Sequence, residues 1–234
     1  EIINEPWPAG AWEFERKALG PFYEAADAMR IERGFETPLY FEQVIYTSAG
    51  IPSRLRFEPE GAAVYAAHYY DPFCHEGGPY GAFGGQLMRT ALERRVREAN
   101  RFGTPMMYTE FGISPDVEGY DRYLRDILGL LDVRQVSWVY YAYDKREHSA
   151  NGVLEADKTP SPVLAPLIQV YAQRIAGRDP AWTRRPGAFE LTYAPAEIEA
   201  PTVIFAPGDL RDVRATVDGE AVAFAHPETL YLEV

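Results

Sequence analysis

Two carboxylates sit where apolar runs give way to loops. Glu5, in Asn4-Glu5-Pro6, follows the stub Glu1-Ile2-Ile3, and Glu110, in Thr109-Glu110-Phe111-Gly112, follows the run Pro105 to Tyr108. Two carboxylates on strand ends can hydrolyse a glycosidic bond, one protonating the leaving oxygen and the other attacking carbon. Neither motif is sufficient alone. Pro6 keeps Glu5 out of the helical region, so Asn-Glu-Pro also reads as an ordinary turn, and a glutamate at a strand end is commonly just solvated. The elements between the two carboxylates decide which reading holds.

Pro21 to Arg33 carries apolar residues at helical spacing, with Pro21 suited to the first turn and Gly34 to the stop. Leu39 to Ile45 is β-rich, Ser48 to Gly61 is irregular, and Ala62 to Tyr70 reads as a buried strand ending in His68-Tyr69-Tyr70. Gly85 to Phe102 has one apolar face and closes at Gly103; the strand Met106 to Tyr108 leads into Glu110. A helix follows over Tyr120 to Leu131, a strand over Val136 to Ala142, and a helix from Ser161-Pro162 to about Ile175 with Gly177 as its stop. Alternating βα units predict a parallel sheet with helices outside it. No glycine-rich phosphate loop follows any strand, so a partial barrel fits better than an open doubly wound sheet.

If Glu5 ends strand four, the later strands are five to eight, and a complete barrel of roughly 250 residues needs its first three upstream. The chain is thus expected to be part of a longer protein. Residues 178–186 read as a linker. Beyond it, Phe189–Tyr193, Thr202–Phe205, Arg214–Val217, Ala221–Phe224 and Leu230–Val234 read as short strands, with Asp218-Gly219 as a hairpin turn. The expected organisation is a catalytic domain over 1–177, the C-terminal portion of a (β/α)8 barrel, and a small antiparallel β-sandwich over 187–234 that is expected to be truncated.

Composition narrows the partners. The 47% hydrophobic content can fill a core, and the net charge of −12 argues against nucleic acid. A single cysteine, Cys74, excludes an internal disulfide and is expected to be an inert thiol beside a loop. No apolar run is long enough to span a bilayer. His75, His148 and His226 lack metal-ligand spacing, so no metal or other cofactor is expected.

These residues resemble the retaining glycosidases of glycoside hydrolase family 5, and within them the endoglycoceramidase-like branch. The resemblance runs through Ile2 to Gly10 with Trp12-Glu13, then His68-Tyr69-Tyr70, Thr109 to Gly112, Trp138 to Asp144 and the β domain. It implies a hydrolase that releases the glycan from a glycosphingolipid with two glutamates, Glu5 as acid/base and Glu110 as nucleophile. It also implies that Asn4 bonds the sugar 2-hydroxyl or the nucleophile, Tyr70 orients Glu110, His68 lines the site and Trp138 is a stacking platform. The expected partner is a glycolipid or oligosaccharide, with transient contact to a membrane or micelle surface. The protein is expected to be secreted, and monomeric when complete.

Other readings stay open. Trp138 lies in an apolar run and could be core, His68 could be a satisfied core histidine, and Trp7 and Trp12 could simply pin their loop. Tyr140, Tyr141 and Tyr143 read as sheet rather than site. An endoglucanase or mannanase of the same wider family shares the two-carboxylate pattern. A carbohydrate-binding protein or an inactive fragment belongs to a different class, and would have no chemical need for both carboxylates. Family members also use an Arg and a His from early strands that this chain lacks.

Overall fold

Where the sequence places its apolar runs, the computed structural model of the chain forms one parallel sheet. Described are residues 9–145, 150–197, 199–208, 214–218, 220–222 and 231–233. They fall into two compact units, one holding the described residues up to Leu131 with Val136–Val163, the other Asp132–Gln135 with Leu164 onward.

The first unit opens with helix α1 (Ala9–Phe14), which continues through a π-helical stretch at Glu15–Leu19 into α2 (Gly20–Glu32). Pro21 sits in the first turn of α2, and Gly34 takes φ +70° just past its end, a conformation that costs glycine little. Then come β1 (Leu39–Phe41), β2 (Ala63–Tyr69), a short α3 (Pro72–His75), α4 (Gly84–Phe102), β3 (Met106–Phe111), α5 (Tyr120–Arg134) and β4 (Ser137–Trp138). All four strands are parallel and lie in the order β1-β2-β3-β4. A doubly wound sheet reverses its strand order at a switch point. This sheet does not reverse, and α4 and α5 connect neighbouring strands, as in a barrel wall.

One side of the sheet is filled by Tyr23, Phe41, Phe57, Tyr65 and Phe102, whose ring centroids lie 4.8 to 5.8 Å apart. Phe41 touches the other four and is 1% exposed; truncating such a ring to alanine costs about 3–5 kcal/mol.

The crossover from β1 to β2 contains no α-helix. Its backbone is held instead by buried carboxylates. Glu15 accepts from the Val44 N–H at 3.1 Å and the Ser53 hydroxyl at 2.9 Å, Glu98 accepts from the Ser53 N–H at 2.9 Å, and Asp27 accepts from the Glu60 and Gly61 N–H groups. Side chains here answer the donors that a strand or helix would otherwise answer. This also ends β1 at Phe41 rather than Ile45: the Glu42 N–H donates to the Tyr23 hydroxyl at 3.1 Å and the Val44 N–H to Glu15, not to a neighbouring strand.

The second unit is antiparallel. It contains one helical turn, α6 (Leu164–Leu167), and strands β5 (Tyr171–Arg174), β6 (Gly177–Arg185), β7 (Ala188–Pro195), β8 (Val203–Phe205), β9 (Ala215–Val217), β10 (Glu220–Val222) and β11 (Tyr231–Glu233). They make three small sheets, β11-β8-β5, β6-β7 and β10-β9.

Two expectations are corrected here. The helix expected from Ser161 to Ile175 is a single turn followed by a strand. Pro160, Pro162 and Pro166 remove backbone donors, and Tyr171 and Ala172 find a ladder against Phe205 and Ile204 of β8. Residues 178–186 are not a linker but nearly all of β6, paired with β7 about the turn at Pro186-Gly187. Its Asp179-Pro180 pair, which reads as a break, is absorbed by a register shift between Arg178 and Ala181, the place where a sheet tolerates proline. The expected division at 177 to 187 therefore falls inside this hairpin.

Candidate active site

Alternation along β2 sorts its side chains. Tyr65, Ala67 and Tyr69 are fully buried, while Val64 and His68 on the other face are only partly so. Tyr70, one step past the strand, follows His68 on that open face.

In β3 the alternation breaks, and the break builds the site. Ala67 pairs with Tyr108, but His68 pairs with Glu110 and Tyr69 with Phe111, so Thr109 is the extra residue of a bulge. Its hydroxyl donates to the Ala66 carbonyl at 3.2 Å. If Thr109 took its turn in a regular ladder, Glu110 would stand opposite Tyr69 and point into the helix layer, since a one-residue slip exchanges the two faces. With the bulge, Glu110 shares a face with His68, and Phe111 goes to full burial beside Trp138 and Tyr140.

Three side chains converge there. The Tyr70 hydroxyl donates to Glu110 Oε2 at 3.0 Å, and His68 Nδ1 lies 3.5 Å from the same oxygen. The other ring nitrogen, Nε2, lies 3.1 Å from Oε2 of Glu42, the residue just after β1. Carboxylates from the ends of two strands thus flank one imidazole. Burial raises the Tyr70 hydroxyl well above the usual tyrosine range, and Glu110 adds to the rise, so Tyr70 stays a donor at ordinary pH. Burial also raises Glu42 above 4.5, with His68 opposing and Glu110 reinforcing that shift.

Among the other expected residues, Trp138 pairs in register with Tyr108, and its ring meets Phe111 edge to face at 5.6 Å. That is the face of β3 opposite Glu110. Asn4 and Glu5 lie outside the described residues, as does Trp7. Trp12 donates its indole N–H to the Pro52 carbonyl at 2.7 Å and carries the Arg54 guanidinium over its ring. Cys74 sits in α3, its thiol pushed up to about 12 by burial and then by Asp71.

Two residues of this face escaped the sequence reading. Glu42 was hidden inside an apolar run. Tyr141 lies in a tyrosine cluster that reads as sheet, yet it is 41% exposed and close enough to Tyr70 to disfavour that hydroxyl's ionisation. Its N–H donates to the Phe111 carbonyl at 2.9 Å, and its own carbonyl lies where a Cβ on Gly112 would stand, 2.2 Å away. Glycine at 112 is what lets the two segments approach. Among the described residues no group of three His, Cys, Asp or Glu could hold a metal ion, and no helix is long and apolar enough to cross a membrane.

No family model and no curated protein matches the sequence. Among solved structures the chain is similar to endo-glycoceramidase II from Rhodococcus sp. In its ganglioside GM3 complex the identity is 23% and the TM-score 0.75, over 88% of this chain and 49% of that one. In its lactosyl-enzyme intermediate the values are 21% and 0.77, over 94% and 51%. The cellulose synthase subunit Z of Clostridioides difficile is more distant, at 15% identity and a TM-score of 0.52, over 64% of this chain and 56% of that one. The chain spans about half the length of the solved chains it matches. At these identities the likeness is one of fold: the parallel sheet of the first unit is part of a TIM-barrel-like fold.

Proposed function

We propose that the protein carrying this chain is a retaining β-glycosidase that cleaves a glycolipid, with Glu110 as nucleophile and Glu5 as acid/base. One observation carries the reading: Glu110 stands at the C-terminal end of a parallel strand with Oε2 held by the Tyr70 hydroxyl and faced by His68. Active sites of parallel barrels form at that end. Both of these contacts fall on Oε2, which leaves Oε1 to attack.

In the first step Oε1 bonds to the anomeric carbon as the bond to the leaving oxygen breaks, and Glu5 gives that oxygen its proton. In the second, water attacks the same carbon, Glu5 takes a proton back, and the ester on Glu110 breaks. Two inversions give net retention, which calls for carboxyl groups about 5 to 5.5 Å apart. Asn4 would hold the sugar 2-hydroxyl, a contact that strengthens as the transition state forms. Tyr141, 41% exposed, is the candidate for stacking on the sugar.

The glycolipid assignment takes its support from the family resemblance and from the similar fold of an enzyme solved with a ganglioside and as a lactosyl intermediate. Such a substrate is met at a membrane or micelle surface outside the cytoplasm, and the antiparallel unit would form a sandwich. An endoglucanase or mannanase remains the second reading, because the same two-carboxylate pattern serves either.

The test uses the complete protein with a 2-deoxy-2-fluoro β-glycoside bearing a good leaving group. Mass spectrometry of peptic fragments should find the sugar on Glu110. A label elsewhere, or an inverted product by NMR, would overturn the mechanism. Cleavage of soluble cellulose or mannan with none of a glycosylceramide in detergent would overturn only the glycolipid assignment.

A further inference from the structure

The reaction just described makes no use of Glu42, yet Glu42 lies nearer to His68 than Glu110 does. Neutral imidazole carries one N–H and one lone pair. With the proton on Nδ1, the Nε2 lone pair would face the Glu42 carboxylate at 3.1 Å; with it on Nε2, the Nδ1 lone pair would face Glu110 at 3.5 Å. With both carboxyls ionised, either neutral form sets a lone pair against an anion. Only the imidazolium offers a donor to both.

The fold keeps these groups in place from three strands. The backbone of Glu42 is tied by its N–H to the Tyr23 hydroxyl at 3.1 Å, and Phe41 before it is locked in the aromatic core. The His68 side chain is only 16% exposed, against 43% for Glu42 and 35% for Glu110. Among the described residues the other titratable groups beside the three are hydroxyls, Tyr23 at Glu42, Tyr70 on Glu110, and Tyr140 and Tyr141 near Tyr70; Glu5, which the proposed reaction sets across from Glu110, lies outside the described residues. The ring of His75 lies 6.0 Å from that of Tyr70.

We propose that Glu42 is a positioning residue: through His68 it keeps an imidazolium N–H directed at the Glu110 carboxylate. The proposal rests on Glu110 being the nucleophile. Glu42 acts at one remove, so its loss should change the pH range of activity more than the peak. A carboxylate that only anchors the chain after β1 would change stability and leave the pH range alone.

The experiment compares the complete protein with its Glu42→Gln, Glu42→Asp, His68→Gln and Glu42→Gln/His68→Gln variants. It measures kcat/KM against pH and the rate of 2-fluoroglycosyl labelling of Glu110, with thermal unfolding as a check on folding. In Glu42→Gln the imidazolium loses one of its two counter-charges, so the alkaline limb should move about one pH unit lower. Glu42→Asp, which keeps the charge and is the fallback should Glu42→Gln fold poorly, should lie between Gln and the parent. The double variant should lose no more than His68→Gln alone, because groups acting through one another are not additive. An unshifted alkaline limb in Glu42→Gln, or additive losses in the double variant, overturns the proposal while labelling of Glu110 in the parent keeps the glycosidase reading. Absence of a label on Glu110 in the parent overturns both.

Discussion

Replacing Arg95 asks whether the buried charges of α4 serve only each other. The Arg95 side chain is 1% exposed and bridges Glu98 Oε2 at 2.8 Å. Removing it alone, as Arg95→Met, leaves a buried carboxylate unpaired and should cost about 3–5 kcal/mol. For an isolated pair, adding Glu98→Leu would recover most of that loss, since apolar replacements of a buried pair are often neutral. This pair is not isolated. Arg95 also donates to the Ile51 carbonyl, and Glu98 Oε1 accepts from the Ser53 N–H at 2.9 Å. The double variant leaves both of those backbone groups without a partner, at about 1–3 kcal/mol each. It should therefore stay at least about 2 kcal/mol less stable than the parent. Urea unfolding gives the total, and amide exchange at Ser53 and Leu55 locates the loss in the β1–β2 crossover. A double variant within about 0.5 kcal/mol of the parent, an ordinary surface effect, would refute the reasoning. The crossover matters to the site because it starts at Glu42 and Gln43, and Gln43 accepts from the Tyr65 hydroxyl of the same network at 2.8 Å.

Three further outcomes follow from the geometry. Burial acts to raise the carboxyl of Asp27, but the Arg30 guanidinium and the Glu60 and Gly61 N–H groups outweigh it and leave it below 3.8; its contribution to stability is present above that value and lost as pH falls through the lower folded one. Asp27→Asn should accordingly lower stability at neutral pH and flatten its decline below about pH 4, and an unchanged acid limb in urea titrations would contradict this. Gly112→Ala, forced against the Tyr141 carbonyl, should cost about 1–3 kcal/mol and reduce activity together; a fully active, equally stable variant would show that the close approach is dispensable. Tyr70→Phe removes a hydrogen bond to a charged group and should slow labelling of Glu110 about ten- to a hundred-fold, whereas an unchanged rate would remove Tyr70 from the site.

Much of the first unit was legible because its signals are local. Pro21 and Gly34 mark the ends of α2, Gly103 stops α4 in the left-handed conformation at φ +67°, and apolar runs between helices give parallel strands. What was not legible depends on distant partners. β1 ends at Phe41 because Tyr23 and Glu15, far back in the chain, take the next donors; nothing within Leu39 to Ile45 shows that Glu42 leaves the ladder and faces His68. The segment after Ser161 has helical composition but two prolines, and its fate turned on β8, more than 30 positions away (203 minus 171). Trp138 illustrates a different loss: its identity suggested a platform, while its face was set by pairing with Tyr108.

The bulge at Thr109 makes the orientation of Glu110 a question of parity. Tyr108 and Glu110 are two positions apart, which on a regular strand means the same side; here they face opposite sides because one position is not counted by the partner strand. The facing of Glu110 is therefore set by its pairing with His68 and not by the residue at 109. Deleting Thr109 would close the bulge and leave Glu110 directly after Tyr108, opposite His68 as before, with Phe111 still opposite Tyr69. In an alignment of homologous chains, a single-position gap just before this glutamate would then mark a bulge lost with the facing kept, and would not by itself speak against activity.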